Sequence, residues 1–218
     1  MKLQLVFFSI LLALYLLHDL GFSFVFKRRF HKQEDFLGKN APDAMQRFFG
    51  RAVYLVLFYY LLVLAYLIFN FNFWGFISGI SVLNKTFVQV IGFAFGVIFI
   101  ALMSLARLNL GSSWRVGLDL KTEDPLVTDG FYRFTRNPYF TFLLGFQFSA
   151  ILVVPTAVTI FAFIQSFLLL SLQVRQEEPF LHDKYGDKYD ECRANTGRFL
   201  PLITKRKMAI STQTDNIY

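Results

Sequence analysis

This chain of 218 residues has one cysteine, Cys192, which excludes an internal disulfide and any four-cysteine metal site. Its neighbours are polar, so a plain reduced thiol is expected. His31 and His182 have no cysteine or carboxylate partner at ligand spacing and read as solvated side chains, so no metal is expected. Charge is missing over long stretches: positions 52–84, 86–106 and 139–174 carry none, and 3–26 carries only His18 and Asp19. No internal repeat or low-complexity linker is present. The first apolar run lacks a small-residue cleavage site and continues through Phe22-Ser23-Phe24-Val25-Phe26 to Lys27-Arg28-Arg29. It therefore reads as a retained anchor rather than a cleaved signal peptide.

What is present fixes the class. The chain is 55% hydrophobic and 19% aromatic, with 29 Phe, more apolar surface than a soluble domain of this length can bury. The uncharged runs far exceed the roughly 10 residues of a barrel strand and do not alternate strictly, so helices are expected. The predicted fold is an all-α integral membrane protein of five transmembrane helices, at about 3–26, 52–73, 86–106, 139–153 and 156–174. The fourth is short and forms a hairpin with the fifth around Pro155. Three regions follow: helices 1–3 over 1–106, a catalytic cofactor-binding region over 107–203, and a flexible tail over 204–218. The segment 27–50 reads as a loop with one interfacial helix.

Basic residues set the expected orientation. All but Lys2 and Lys85 of the 22 Lys and Arg lie in 27–51, in 107–136 or after helix five. With five helices these segments share one side, which the positive-inside rule makes cytoplasmic. The net charge of +7 is then an orientation and headgroup signal, and nucleic acid is not an expected partner.

Two polar clusters bracket the uncharged hairpin. The first runs Leu126-Val127-Thr128-Asp129-Gly130-Phe131-Tyr132 and Arg136-Asn137-Pro138-Tyr139-Phe140. The second runs Arg175-Gln176-Glu177-Glu178-Pro179, Tyr185-Gly186-Asp187-Lys188-Tyr189 and Thr196-Gly197-Arg198-Phe199-Leu200-Pro201. A hairpin returns the chain to the side it left, so both clusters meet at one membrane face. Carboxylates at that interface, Glu177 and Glu178, require a cation. Structural readings stand beside this one. Arg136 suits snorkelling, Asn137-Pro138 a helix entry with Asn as cap, and Tyr185-Gly186-Asp187 a helix stop. Arg198 suits either holding the tail or contacting lipid phosphate.

Together with Leu110-Gly111-Ser112-Ser113-Trp114, these motifs resemble the isoprenylcysteine carboxyl methyltransferase family over about 108–203, the bacterial-type members in particular. The resemblance implies methyl transfer from S-adenosylmethionine, without a metal, to a lipophilic acceptor that enters from the bilayer and reacts at the cytoplasmic face. The acceptor would be a prenylcysteine-like carboxylate or another lipid O, S or N nucleophile. It implies a bacterial inner membrane rather than the endoplasmic reticulum. The implied catalytic residues are Arg136, Asn137 and Glu177. The implied cofactor residues are Leu126, Val127, Tyr132, Asn137, Pro138, Tyr139, Phe140, Glu177 and Glu178. Gln173, Arg175 and Trp114 are expected at the acceptor. Phe142, Phe146, Phe148, Phe161, Phe163 and Phe167 line the helices of this pocket and suit an apolar chain, with most of the rings expected to face lipid or other helices.

Three positions depart from the family pattern. Asn137 stands where eukaryotic members carry His. Phe140 takes the place of the motif tyrosine, with Tyr139 beside it. Gln173 occupies the place of the arginine that matches a prenylcysteine carboxylate, so a neutral or weakly charged acceptor head is expected. Two other classes remain open: an NADPH-dependent membrane reductase of sterol type, and a non-catalytic membrane scaffold.

Overall fold

The computed structural model describes residues 2–30, 44–70, 80, 82–114 and 124–202. His31, most of the expected interfacial loop, Arg115, Lys121 and the tail from 204 lie outside these residues.

Six helices carry the described chain: α1 Lys2–Phe30, α2 Ala44–Phe69, α3 Thr86–Leu110, α4 Pro138–Val153, α5 Ala157–Tyr185 and α6 Asp187–Asn195. Short 3-10 turns occur at Gly111–Ser113 and Gly130–Arg133, and Thr135 bridges Gly197. Four helices (α1, α2, α3 and α5) are long and apolar enough to cross a membrane, and α4 is a shorter apolar helix. At 1.5 Å per residue its 16 residues extend about 24 Å, less than a hydrocarbon core of about 30 Å. The expected hairpin is present, with its turn at Val154-Pro155-Thr156. Thr156 and Thr159 cap α5 reciprocally, each side-chain oxygen accepting from the other's backbone N–H at 3.2 and 3.1 Å.

Several boundaries differ from expectation: α1 runs to Phe30 rather than 26, α2 begins at Ala44 rather than 52, and α3 runs to Leu110 rather than 106. The positive φ of Asn70 follows the end of α2 at Phe69, where a helix to 73 was expected. The fifth helix runs on past 174 to Tyr185, taking Pro179 into its interior and stopping at Gly186 with φ +54°. Polar residues do not break a helix whose one face is held by neighbours, so charge marked the membrane boundary and not the helix end.

Apolar rings and aliphatic chains point both ways, as a lipid solvent permits. Phe8, Leu11, Met103, Phe146 and Val153 fill the interior, while Leu17, Phe24, Phe58, Phe161 and Leu168 face outward. Glycines let α4 lie close on α3. A Cβ at Gly92 would sit 2.7 Å from the Leu152 Cβ, and one at Gly96 would meet Leu11 and the Ser149 hydroxyl below 3.0 Å. At one end Gln4 ties α1 to Asn84 and to the Val153 carbonyl. At the other end the C-termini of α3 and α5 meet the N-termini of α2 and α4, and there the polar clusters gather.

Gly92→Leu should destabilise the detergent-solubilised protein by about 1–3 kcal/mol through overpacking. Gly21→Leu, whose Cβ meets nothing within 4 Å, should leave the melting temperature unchanged. Equal melting shifts would show that α3–α4 contact does not limit stability.

Candidate active site

Helix α5 presents one face at its polar end. Gln173, Val174, Glu177, Glu178 and Leu181 follow the i, i+1, i+4, i+5, i+8 pattern and line a cavity of about 720 Å³. The Gln173 amide donates to Glu177 Oε1 at 3.0 Å, one turn along the same face. The Gln46 amide of α2 donates to Gln176 Oε1 at 3.2 Å, which sets the first turn of α2 beside this end of α5.

The opposite wall comes from the segment between α3 and α4. Trp114, Leu126, Val127, Tyr132, Arg136, Asn137, Tyr139 and Phe140 all line the cavity. So most of the site residues expected from the sequence come together, although they are drawn from positions about sixty apart. Two do not. Arg175 is exposed and off the cavity, because two residues advance a helix by 200° and turn it away from Gln173. Pro138 is buried behind the wall as the first residue of α4 rather than lining it.

Glu178 holds the two clusters together. Its Oε1 accepts from Arg136 Nη2 at 3.1 Å and from Arg198 Nε at 3.1 Å, and its Oε2 accepts from Arg198 Nη2 at 2.5 Å. Arg136 Nη1 donates further to the carbonyls of Thr196 and Arg193. Asn137 Nδ2 donates to the Arg198 carbonyl at 3.0 Å, Thr135 Oγ1 to the same carbonyl at 3.1 Å, and Thr141 Oγ1 to the Phe199 carbonyl at 2.6 Å. Asn137 occupies the N-cap position without capping: its side chain is spent on residue 198 and Pro138 opens the helix. Arg198 holds the closing segment, the first of the two roles open to it. Its bonds to Glu178 fix the guanidinium proton more firmly than usual. Burial and the nearby Glu178 push the Tyr189 phenol up to about 12, and burial raises Tyr132 further, so both rings present neutral hydroxyls.

Several cavity residues were invisible as such in the sequence. Tyr15, Asp19 and Ser23 of α1 form one stripe along the wall, and Arg47, Arg51 and Tyr54 of α2 another. Asp19 and His18 were the one signal available, as the ionisable residues in the first apolar run. Arg107, Tyr185, Tyr189 and Cys192 complete the lining, and Tyr185 Oη donates to the Asp124 carbonyl at 2.6 Å. None of the six phenylalanines lines the cavity, in keeping with the expectation that most of these rings face lipid or other helices. Phe146 stacks on Tyr15 in the core, Phe148, Phe161 and Phe167 are exposed on the outer surface, and Phe140, Leu143 and Leu170 line the cavity instead.

Residues 90–183 match the model of the isoprenylcysteine carboxyl methyltransferase (ICMT) family. The match begins within α3 and ends near the close of α5, so it takes in the cavity wall from Trp114 to Leu181 and omits α1, α2 and the segment around Arg198. With the long apolar helices it supports a membrane methyltransferase. No curated protein matches the chain.

Glu178→Gln removes the charge that two arginines share. It should cost about 1.5–3 kcal/mol, the range for a hydrogen bond to a charged group. The expected readout is a lower melting temperature together with faster protease cleavage in 193–202, and unchanged cleavage there would show that the clamp does not hold this segment.

Proposed function

We infer that this chain, whose residues 90–183 match the family model, is a member of the isoprenylcysteine carboxyl methyltransferase family. From that premise we propose that it is an integral membrane enzyme transferring a methyl group from S-adenosylmethionine to a lipophilic acceptor. The observation that carries this reading is the placement of Glu177. It lies on the wall of a cavity whose volume suits a ligand of cofactor size, beside aromatic and apolar residues of the 114–140 segment. Glu178 is bonded to two arginines, while Glu177, which accepts from Gln173, faces the cavity as the α5 carboxylate proposed for the cationic end of the donor. Leu126, Val127 and Tyr132 would hold the adenosine and methionine portions, with Arg136 to Phe140 packed against them.

When bound, the donor supplies an electrophilic methyl on a sulfonium, and displacement at that carbon needs no metal. The protein's task is then positioning. Asn137 and Arg136, held by the backbone of 193–198, keep the wall facing Glu177 rigid. Tyr139 supplies a ring at the cavity beside Phe140, where the motif tyrosine is missing. The acceptor enters from the bilayer, and the distribution of Lys and Arg places the reacting end at the cytoplasmic face of what we read as a bacterial inner membrane.

Glu177→Gln should weaken S-adenosylhomocysteine binding, measured by calorimetry on solubilised protein, by about 1.5–3 kcal/mol. Equal affinity in the two proteins would remove Glu177 from the donor site, and no binding by the wild type would remove the reading itself. A reporter fused after Pro201 should read cytoplasmic; the opposite result would place the site on the other face.

A further inference from the structure

The wall of the cavity away from α5 carries an ion pair that methyl-donor binding leaves unused. Asp19 of α1 bonds Arg107 of α3, Arg107 Nη2 donating to Asp19 Oδ1 at 3.1 Å. Both residues line the cavity. The Asp19 side chain is 45% exposed, whereas that of Arg107 is 4% exposed. Arg107 is boxed by aromatic rings, its guanidinium carbon lying 4.4 Å from the Trp114 ring centre, 5.2 Å from that of Tyr139 and 5.4 Å from that of Phe22. Its Nε and Nη1 have no hydrogen-bond partner among the described residues.

An ionisable residue on a membrane-crossing helix is costly, and one that faces a cavity marks a functional position. A pair serving only to join α1 to α3 would bury both partners. Here the arginine is buried and fixed, while the carboxylate is left open to the cavity. The fixed cation orients the carboxylate, and the two charges cancel, so the pair itself does not select a charged head; Arg47 and Arg51 belong to the separate stripe of α2. Gln173, on the facing helix, adds no charge either. Trp114, Tyr139 and Tyr15 supply flat apolar surface beside the pair.

We propose that Asp19 is the proton acceptor for a lipophilic acceptor with a neutral hydroxyl on an aromatic ring, a long-chain phenol, positioned by Arg107. This rests on the methyltransferase reading and names its substrate class. The bond changes balance without a further reactant. The phenol oxygen's lone pair becomes the new O–CH3 bond, the C–S electron pair stays with the donor's sulfur, and the hydroxyl proton passes to the Asp19 carboxylate and then to water. A carboxylate acceptor is already ionised and would need no such group.

The test uses full-length protein in detergent with labelled S-adenosylmethionine and two acceptors, 4-dodecylphenol and N-acetyl-S-farnesylcysteine. Wild type should methylate the phenol. Asp19→Asn should lower kcat on the phenol roughly 100-fold, the scale of one positioned proton acceptor, with a much smaller change in KM. Asp19→Glu should recover part of that loss. Asp19→Asn should still bind S-adenosylhomocysteine as wild type does, although losing the charge beside the buried Arg107 lowers its melting temperature, and retained binding separates a lost base from a lost fold. Equal losses on both acceptors would make the pair a structural joint and overturn the proposal. Wild-type turnover of the farnesylcysteine alone would overturn it too, as would turnover of neither acceptor by protein that binds S-adenosylhomocysteine. Protein that fails to bind S-adenosylhomocysteine would overturn the methyltransferase reading instead.

Discussion

One carboxylate, Glu178, carries the arrangement at the polar end of the helix bundle. It bonds Arg136 at the entry to α4 and Arg198 beyond α6, and so joins three parts of the chain at one polar site. The side chains of Glu178 and Arg136 are 10% and 12% exposed, so removing any one member leaves charge with little water to stabilise it. Arg136 then fixes the turn before α4, and the backbone carbonyls of 193–199 satisfy the polar side chains around it. Between Trp114 and the start of α4 at Pro138, the described residues form one short 3-10 turn, Gly130–Arg133, and no longer helix. The shape of this cavity wall therefore depends on this anchoring.

The clamp also sorts the two neighbouring acids. Glu177 and Glu178 are adjacent in sequence, yet 100° of helical rotation sends one into the arginine pair and leaves the other beside Gln173 on the cavity. In the proposed reaction this separates a structural carboxylate from a donor-binding one. A third carboxylate, Asp19, faces the same cavity from a different helix and is balanced by its own arginine. Arginine thus balances the charge at Glu178 and at Asp19.

Packing elsewhere obeys lipid rather than water. Large apolar side chains are exposed all round the bundle, and close helix approach relies on Gly92, Gly96 and Gly145. The short α4 is held between α3 and α5 by such contacts, which is how a helix of 16 residues can carry Asn137 and Tyr139 at a fixed height.

Much of this was legible in the order of residues. Uncharged runs longer than a membrane crossing required long helices, and Pro155 between two of them required a hairpin. A hairpin necessarily returns Arg136 to the level of Glu177, so the site's membership from Trp114 to Glu178 followed from chain topology. Side-chain direction did not follow. Arg175 was placed by proximity in sequence, but only the rotation of α5 against its neighbours decides which face meets the cavity. Nor could the sequence assign Glu178 to Arg136 and Arg198, or bring Asp19 to Arg107 across 88 positions. Those pairings are non-local, and they exist because tertiary packing left each buried cation one carboxylate within reach.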